Sequence, residues 1–171
     1  MRKLLLATTA VLAMCGASQA AIISNLGVDP TSATGTFQHS VFGATFEDQY
    51  TFQLVGGPQF FTIASATNVF PRTTDFISNF VGAVFTTGAD GIVNNADDVL
   101  VLGPATAFGC PFQSFCQGLA GSAVLNAGSY YLEITGVGGG TSGYGGNIAT
   151  FAVPGPTAGS FSIGGLLALL K

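Results

Sequence analysis

From Ala21 to Val153 no window holds a helical period, and that absence constrains the fold more than any motif. Short segments alternate instead. Phe46-Glu47-Asp48-Gln49-Tyr50-Thr51-Phe52-Gln53-Leu54 is the clearest. Phe46, Tyr50, Phe52 and Leu54 share one face, and Glu47, Gln49, Thr51 and Gln53 share the other. A period of two predicts a strand with one face buried. Gly56-Gly57-Pro58 then breaks the chain, and Gln59–Ala66 starts a second strand, so the pair reads as a hairpin.

Further strands are expected at Phe76–Thr86, Val99–Leu102, Ser122–Leu125, Tyr130–Thr135 and Asn147–Val153, separated by Gly, Pro, Asn and Asp. This spacing predicts an all-β fold, a single antiparallel β-sandwich or jelly roll over residues 21–153. Fifteen Phe residues and no Trp suffice to fill the space between two sheets. Gly136–Gly146 is glycine-rich and reads as one loop. A short apolar helix is expected only at Ala158–Leu170.

The two ends read differently from the middle. Residues 1–20 have the plan of a secretory signal peptide: Arg2-Lys3, an apolar run from Leu4 to about Met14, and Ser18-Gln19-Ala20 with small residues at −3 and −1. Cleavage by signal peptidase is expected before Ala21. A lipoprotein reading at Cys15 is weak, because Met14 stands where a small residue is wanted. Residues 154–171 read as a separate tail, and Val153-Pro154-Gly155-Pro156 marks its start.

After cleavage, Arg72 and Lys171 face eight acids, a charge near −6. That balance excludes nucleic acid as a partner, since phosphates need clustered Lys and Arg. Cys110 and Cys116 remain, and in an oxidising compartment they are expected to pair as a disulfide.

Asp48 is out of place on the aromatic face of its strand, where a bare carboxylate is costly. It must sit at an edge, accept hydrogen bonds from a turn, meet Arg72, or bind a cation. Asp90-Gly91-Ile92-Val93-Asn94-Asn95-Ala96-Asp97-Asp98 is the best ligand-binding candidate. It resembles the second half of the calcium loop of dockerins and EF-hands. Asp90 matches the fifth position, Gly91 the sharp-turn glycine, Asn94 the ninth and Asp97 the twelfth; Asp98 adds a carboxylate. Thr86 and Gly88 stand where two further ligands belong, so a calcium site at Asp90, Asn94, Asp97 and Asp98 is half built. The bland reading is a polar turn between strands.

Gly138, Gly140 and Gly143 fit G-x-G-x-x-G, but a turn and a strand follow where a dinucleotide site needs a helix. His39 is the one histidine, and beside a strand it reads as a surface residue. Glu47/Asp48 and Asp97/Asp98 are adjacent pairs that face opposite ways in a strand, unlike a glycosidase pair. No catalytic constellation emerges, and the chain reads as a non-enzyme.

Phe46-Glu47-Asp48-Gln49-Tyr50 resembles the F-x-D-x-F signature of a class of PEP-CTERM proteins, with Phe46, Asp48 and Tyr50 on the motif positions. Ala127–Gly136 and the loop through Tyr144 and Gly146 resemble that family's closing hairpin. The same segment is similar to bacterial pre-peptidase C-terminal β-sandwiches. In the family a V-P-E-P motif, a spanning helix and an arginine-rich end follow. Here Gly155 replaces the glutamate, Thr157–Leu170 spans about 21 Å as a helix against about 30 Å of hydrocarbon, and Lys171 stands alone, so the tail is degenerate or truncated.

The resemblance implies export, an exosortase partner, transient membrane contact through the tail, and association with exopolysaccharide or biofilm at the surface of a Gram-negative bacterium. The resulting expectation is an exported, non-enzymatic surface or matrix protein with no cofactor. Its rivals are a calcium-dependent carbohydrate-binding module and a secreted hydrolase using His39 as base.

Overall fold

A computed structural model of the chain describes residues 23–67, 75–109 and 116–153. These residues form ten strands: β1 (Ile23–Val28), β2 (Thr36–Phe42), β3 (Thr45–Leu54), β4 (Gln59–Thr67), β5 (Ile77–Thr86), β6 (Leu100–Thr106), β7 (Phe108–Gly109), β8 (Gln117–Leu125), β9 (Gly128–Gly138) and β10 (Thr141–Ala152). They make two five-stranded sheets, ordered β1-β3-β9-β5-β6 and β2-β10-β4-β8-β7. Neighbouring strands run antiparallel except β1 and β3, which run parallel.

The strand expected at 46–54 is β3, and its alternation is real: Phe46, Tyr50, Phe52 and Leu54 are buried between the sheets. The expected hairpin is not. β3 belongs to the first sheet and β4 to the second, so residues 55–58 carry the chain across the sandwich. The reason is packing. β4 also has an apolar face, with Phe61 and Ile63 buried, and each face covers the other only across two layers. Phe52 stacks on Phe61 at 5.3 Å between ring centres, and on Tyr130 at 5.6 Å. Burying each such ring stabilises the fold by roughly 1.5–3 kcal/mol.

Asp29 holds that crossing in place. Its Oδ1 accepts from the Val55 amide at 2.9 Å and from Gln59 Nε2 at 2.5 Å. Asp29 itself takes a positive φ of 44°, a conformation that Asp tolerates better than most residues.

The Gly136–Gly146 segment is likewise no simple loop. β9 runs to Gly138 and β10 starts at Thr141, in opposite sheets, so the expected closing hairpin is another crossing. β1 and β2 lie in a stretch whose sequence carries no clear period of two. The Asp/Asn/Gly-rich segment does join antiparallel neighbours, β5 and β6.

The phenylalanines divide. Phe37, Phe46, Phe52, Phe61 and Phe80 are in the core, whereas Phe42, Phe60, Phe76, Phe108 and Phe151 are exposed. Residues 1–22, 68–74, 110–115 and 154–171 lie outside the description. The leader, Arg72, Cys110, the sorting residues Pro154, Gly155 and Pro156, and the helix expected at Ala158–Leu170 fall there.

Candidate functional site

Asp48 is fully buried at the centre of a polar chain that crosses the sandwich. It lies on β3 of the first sheet. His39 of β2 and Tyr144 of β10 reach it from the second, where Tyr144 and His39 are register partners. His39 Nδ1 donates to Asp48 Oδ2 at 2.5 Å. The Tyr144 hydroxyl donates to the same oxygen. With its proton committed there, Tyr144 accepts from the Tyr50 hydroxyl at 2.9 Å. Phe46 closes one flank, stacked on Tyr144 at 5.6 Å and edge-on to His39 at 6.2 Å.

Phe46, Asp48 and Tyr50 therefore share the inward face that the alternation of their strand predicts, and Asp48 is tied to the opposite sheet through His39 and Tyr144. The sequence places His39 at the surface; its side chain is 9% exposed and tied to Asp48. His39 and Tyr144 are the residues that sequence reasoning missed. The signal was present, because an inward acid in a strand needs donors, but the partners lie 9 and 96 residues away.

Burial pushes the Tyr50 hydroxyl up to about 12, with the nearby Asp48 charge adding to the rise. Burial also drives Tyr144 far upward, helped by Tyr50 and by its hydrogen bond to Asp48. Both hydroxyls are thus held protonated. A carboxylate on a histidine is two-thirds of a hydrolytic triad, yet among the described residues no serine hydroxyl bonds His39.

Tyr130 and Tyr131 are raised as well, in each case chiefly by burial, with the Asp98 hydrogen bond adding for Tyr131. These four are all the tyrosines of the chain. A folded pKa above the unfolded value near 10 keeps stability intact below pH 10 and removes it as pH climbs toward the folded value. The expected result is a tyrosinate absorbance that stays flat through pH 10 and then rises together with loss of near-ultraviolet circular dichroism, as a single transition between about pH 10 and 12. A separate ionisation step near pH 10 with the dichroism intact would contradict it.

The loop after β5 is tied to itself and to the outer face of the first sheet. Asp90 Oδ1 accepts from the Ile92 amide at 2.9 Å and Oδ2 from Asn95 Nδ2 at 2.8 Å. Asp97 Oδ2 accepts from the Ala89 amide at 2.9 Å. Asp98 Oδ2 accepts from the Asn95 amide and from the Tyr131 hydroxyl, at 3.0 and 2.9 Å. Asn94 Nδ2 donates to Glu47 Oε1 at 2.7 Å. The four residues named for calcium are thus engaged with backbone amides and neighbouring side chains, Asp90 and Asp98 both bonding Asn95, and among the described residues no group of three His, Cys, Asp or Glu side chains is placed to hold a metal. Gly91 has φ +71°, in keeping with its reading as the turn glycine. Beneath the loop, burial and the neighbouring Glu47 charge raise the Glu133 carboxyl.

Of the remaining expected site residues, Cys116 is half-buried just before β8, and Val153 is exposed just after β10.

No protein-family model matches the chain, and no curated protein does. Several solved structures resemble it, among them these two. One is the pre-peptidase C-terminal domain of a collagenase from Bacillus anthracis, at 14% identity over 76% of this chain and 97% of that one, with a TM-score of 0.45. The other is CorA, a surface-associated copper-binding protein of Methylomicrobium album BG8, at 13% identity over 76% of this chain and 99% of that one, with a TM-score of 0.39.

Proposed function

We propose that this chain is an exported, non-catalytic β-sandwich that acts at the surface or in the extracellular matrix of a Gram-negative bacterium, sorted by an exosortase-type tail and associated with exopolysaccharide. The observation that carries the non-catalytic reading is the buried chain His39–Asp48–Tyr144–Tyr50. The groups that acid–base or nucleophilic chemistry would recruit are spent joining two sheets. Export is supported by the signal-like residues 1–20 and by a domain whose only basic side chain before the tail is Arg72. The surface role rests on the F-x-D-x-F resemblance at Phe46, Asp48 and Tyr50.

Intact mass of the protein from its native host, with cells and medium weighed separately, tests this reading. The expected species begins at Ala21 and has no free thiol, because Cys110 and Cys116 are paired. A cytosolic species retaining Met1–Ala20 would overturn the proposal.

A further inference from the structure

Charge is distributed unevenly between the two sheets. The strands of the second sheet, β2, β10, β4, β8 and β7, contain no Asp, Glu, Lys or Arg. Their ionisable side chains, His39 and Tyr144, are turned inward to Asp48. The acids instead lie on β3, β9 and the loops. A chain with a charge near −6 thus keeps one whole sheet neutral.

The outer face of that sheet is ordered in rows. Phe151, Phe60 and Val124 are cross-strand neighbours on β10, β4 and β8, and are 58%, 42% and 60% exposed. Two residues along lies the row Ala149, Thr62, Ser122, in which Ala149 is already buried at 5% exposure, and two further the row Asn147, Ala64, Ala120. One end of the face is therefore large and apolar, and the other end is small. Thr62 Oγ1 already donates to the Ala149 carbonyl at 3.3 Å, so covering it strands no donor.

We propose that this face binds a second copy of the chain, sheet against sheet, about a two-fold axis lying along the Ala149–Thr62–Ser122 row. Such an axis reverses the strands and sets the Phe151–Phe60–Val124 row of each copy over the small Asn147–Ala64–Ala120 row of the other. Large side chains then meet small ones, as interdigitating layers require. It is also the approach on which two acidic molecules bring no charge to the contact. The three strands, about 4.8 Å apart with nine residues in register, offer roughly 430 Å² per copy. Two faces remove roughly 850 Å², short of a standard interface, so the dimer should be weak, in the upper part of the micromolar range, and not obligate.

Sedimentation equilibrium of the full secreted chain, across the whole micromolar range, reads this directly. The expected result is a reversible dimer that tightens as salt is raised, since salt screens the net repulsion and there is no ionic attraction to lose. Val124→Glu should weaken it at least about 30-fold, by forcing a charge into an apolar contact, with far-ultraviolet dichroism and melting temperature unchanged. Ala120→Glu gives the same result from the opposite row should the first variant fold poorly. Val99→Glu, equally exposed at 59% but on the β5–β6 loop, should leave the dimer intact. A monomer at every concentration, or a dimer untouched by both face variants, overturns the proposal. So does a monomer that sediments with a neutral polysaccharide and loses that binding in Val124→Glu, which would assign the face to glycan.

Discussion

Asp48→Ala is expected to lower the free energy of unfolding by about 3–5 kcal/mol, the range for removing one member of a buried, hydrogen-bonded ionic group. Asp48 is 0% exposed, and the same carboxylate oxygen receives His39 and Tyr144. Removing it leaves a ring N–H and a phenol hydroxyl facing an apolar gap, and each such orphan costs about 1–3 kcal/mol. Because β2 and β10 contribute these donors while β3 contributes the acceptor, the loss falls on the contact between sheets and not on either sheet's ladder. Tyr144→Phe should cost less, since it removes one donor and leaves His39 in place. Tyr50→Phe should cost least, because Tyr50 ends the chain. Urea unfolding at fixed pH measures the series through the midpoint at constant slope. A loss below about 1 kcal/mol for Asp48→Ala would mean that water satisfies the freed donors.

The second large effect is steric. A Cβ on Gly146 would overlap the carbonyl oxygen of Ala64 and lie 2.7 Å from Ser65 Cα and 2.9 Å from the Phe37 ring. Two of these neighbours are backbone of β4, which pairs with β10 at this point, so a rotamer change cannot relieve the clash. Gly146→Ala should therefore cost about 3 kcal/mol, at the upper end for an overpacked core. Gly57→Ala is the matched control, since a Cβ there meets nothing within 4 Å. It should change stability by less than about 0.5 kcal/mol. Equal effects at the two positions would show that the close approach of β10 to β4 carries no cost, since the entropy lost from the unfolded chain on replacing glycine favours the folded state at both.

Much of this protein is written locally. The period-two pattern of Phe46–Leu54 assigns the strand and its buried face, because alternation is a property of neighbouring residues. The polar character of residues 87–99 is equally local, and the segment does form a connection between paired strands. The odd position of Asp48 announced that donors had to be found. Which donors was not legible: a hydrogen bond at 2.5 Å from His39 leaves no trace in the spacing of the chain. The same holds for the crossings that follow β3 and β9. Gly56-Gly57-Pro58 signals a reversal in a hairpin and in a crossing between sheets alike, and only the need to cover two apolar faces with each other separates them.

The amino-acid order alone decided that the middle of the chain is all β, that its aromatic face turns inward, and that most of its charge is negative. These follow from rules acting over a few residues. The tertiary structure alone decided that Asp48 is shared by two sheets, that the Asp90, Asp97 and Asp98 carboxylates are taken up by backbone amides and neighbouring side chains, and that the second sheet is left neutral on its outer side. Those outcomes depend on which distant strands become neighbours, and that choice is made by burial of the whole chain at once.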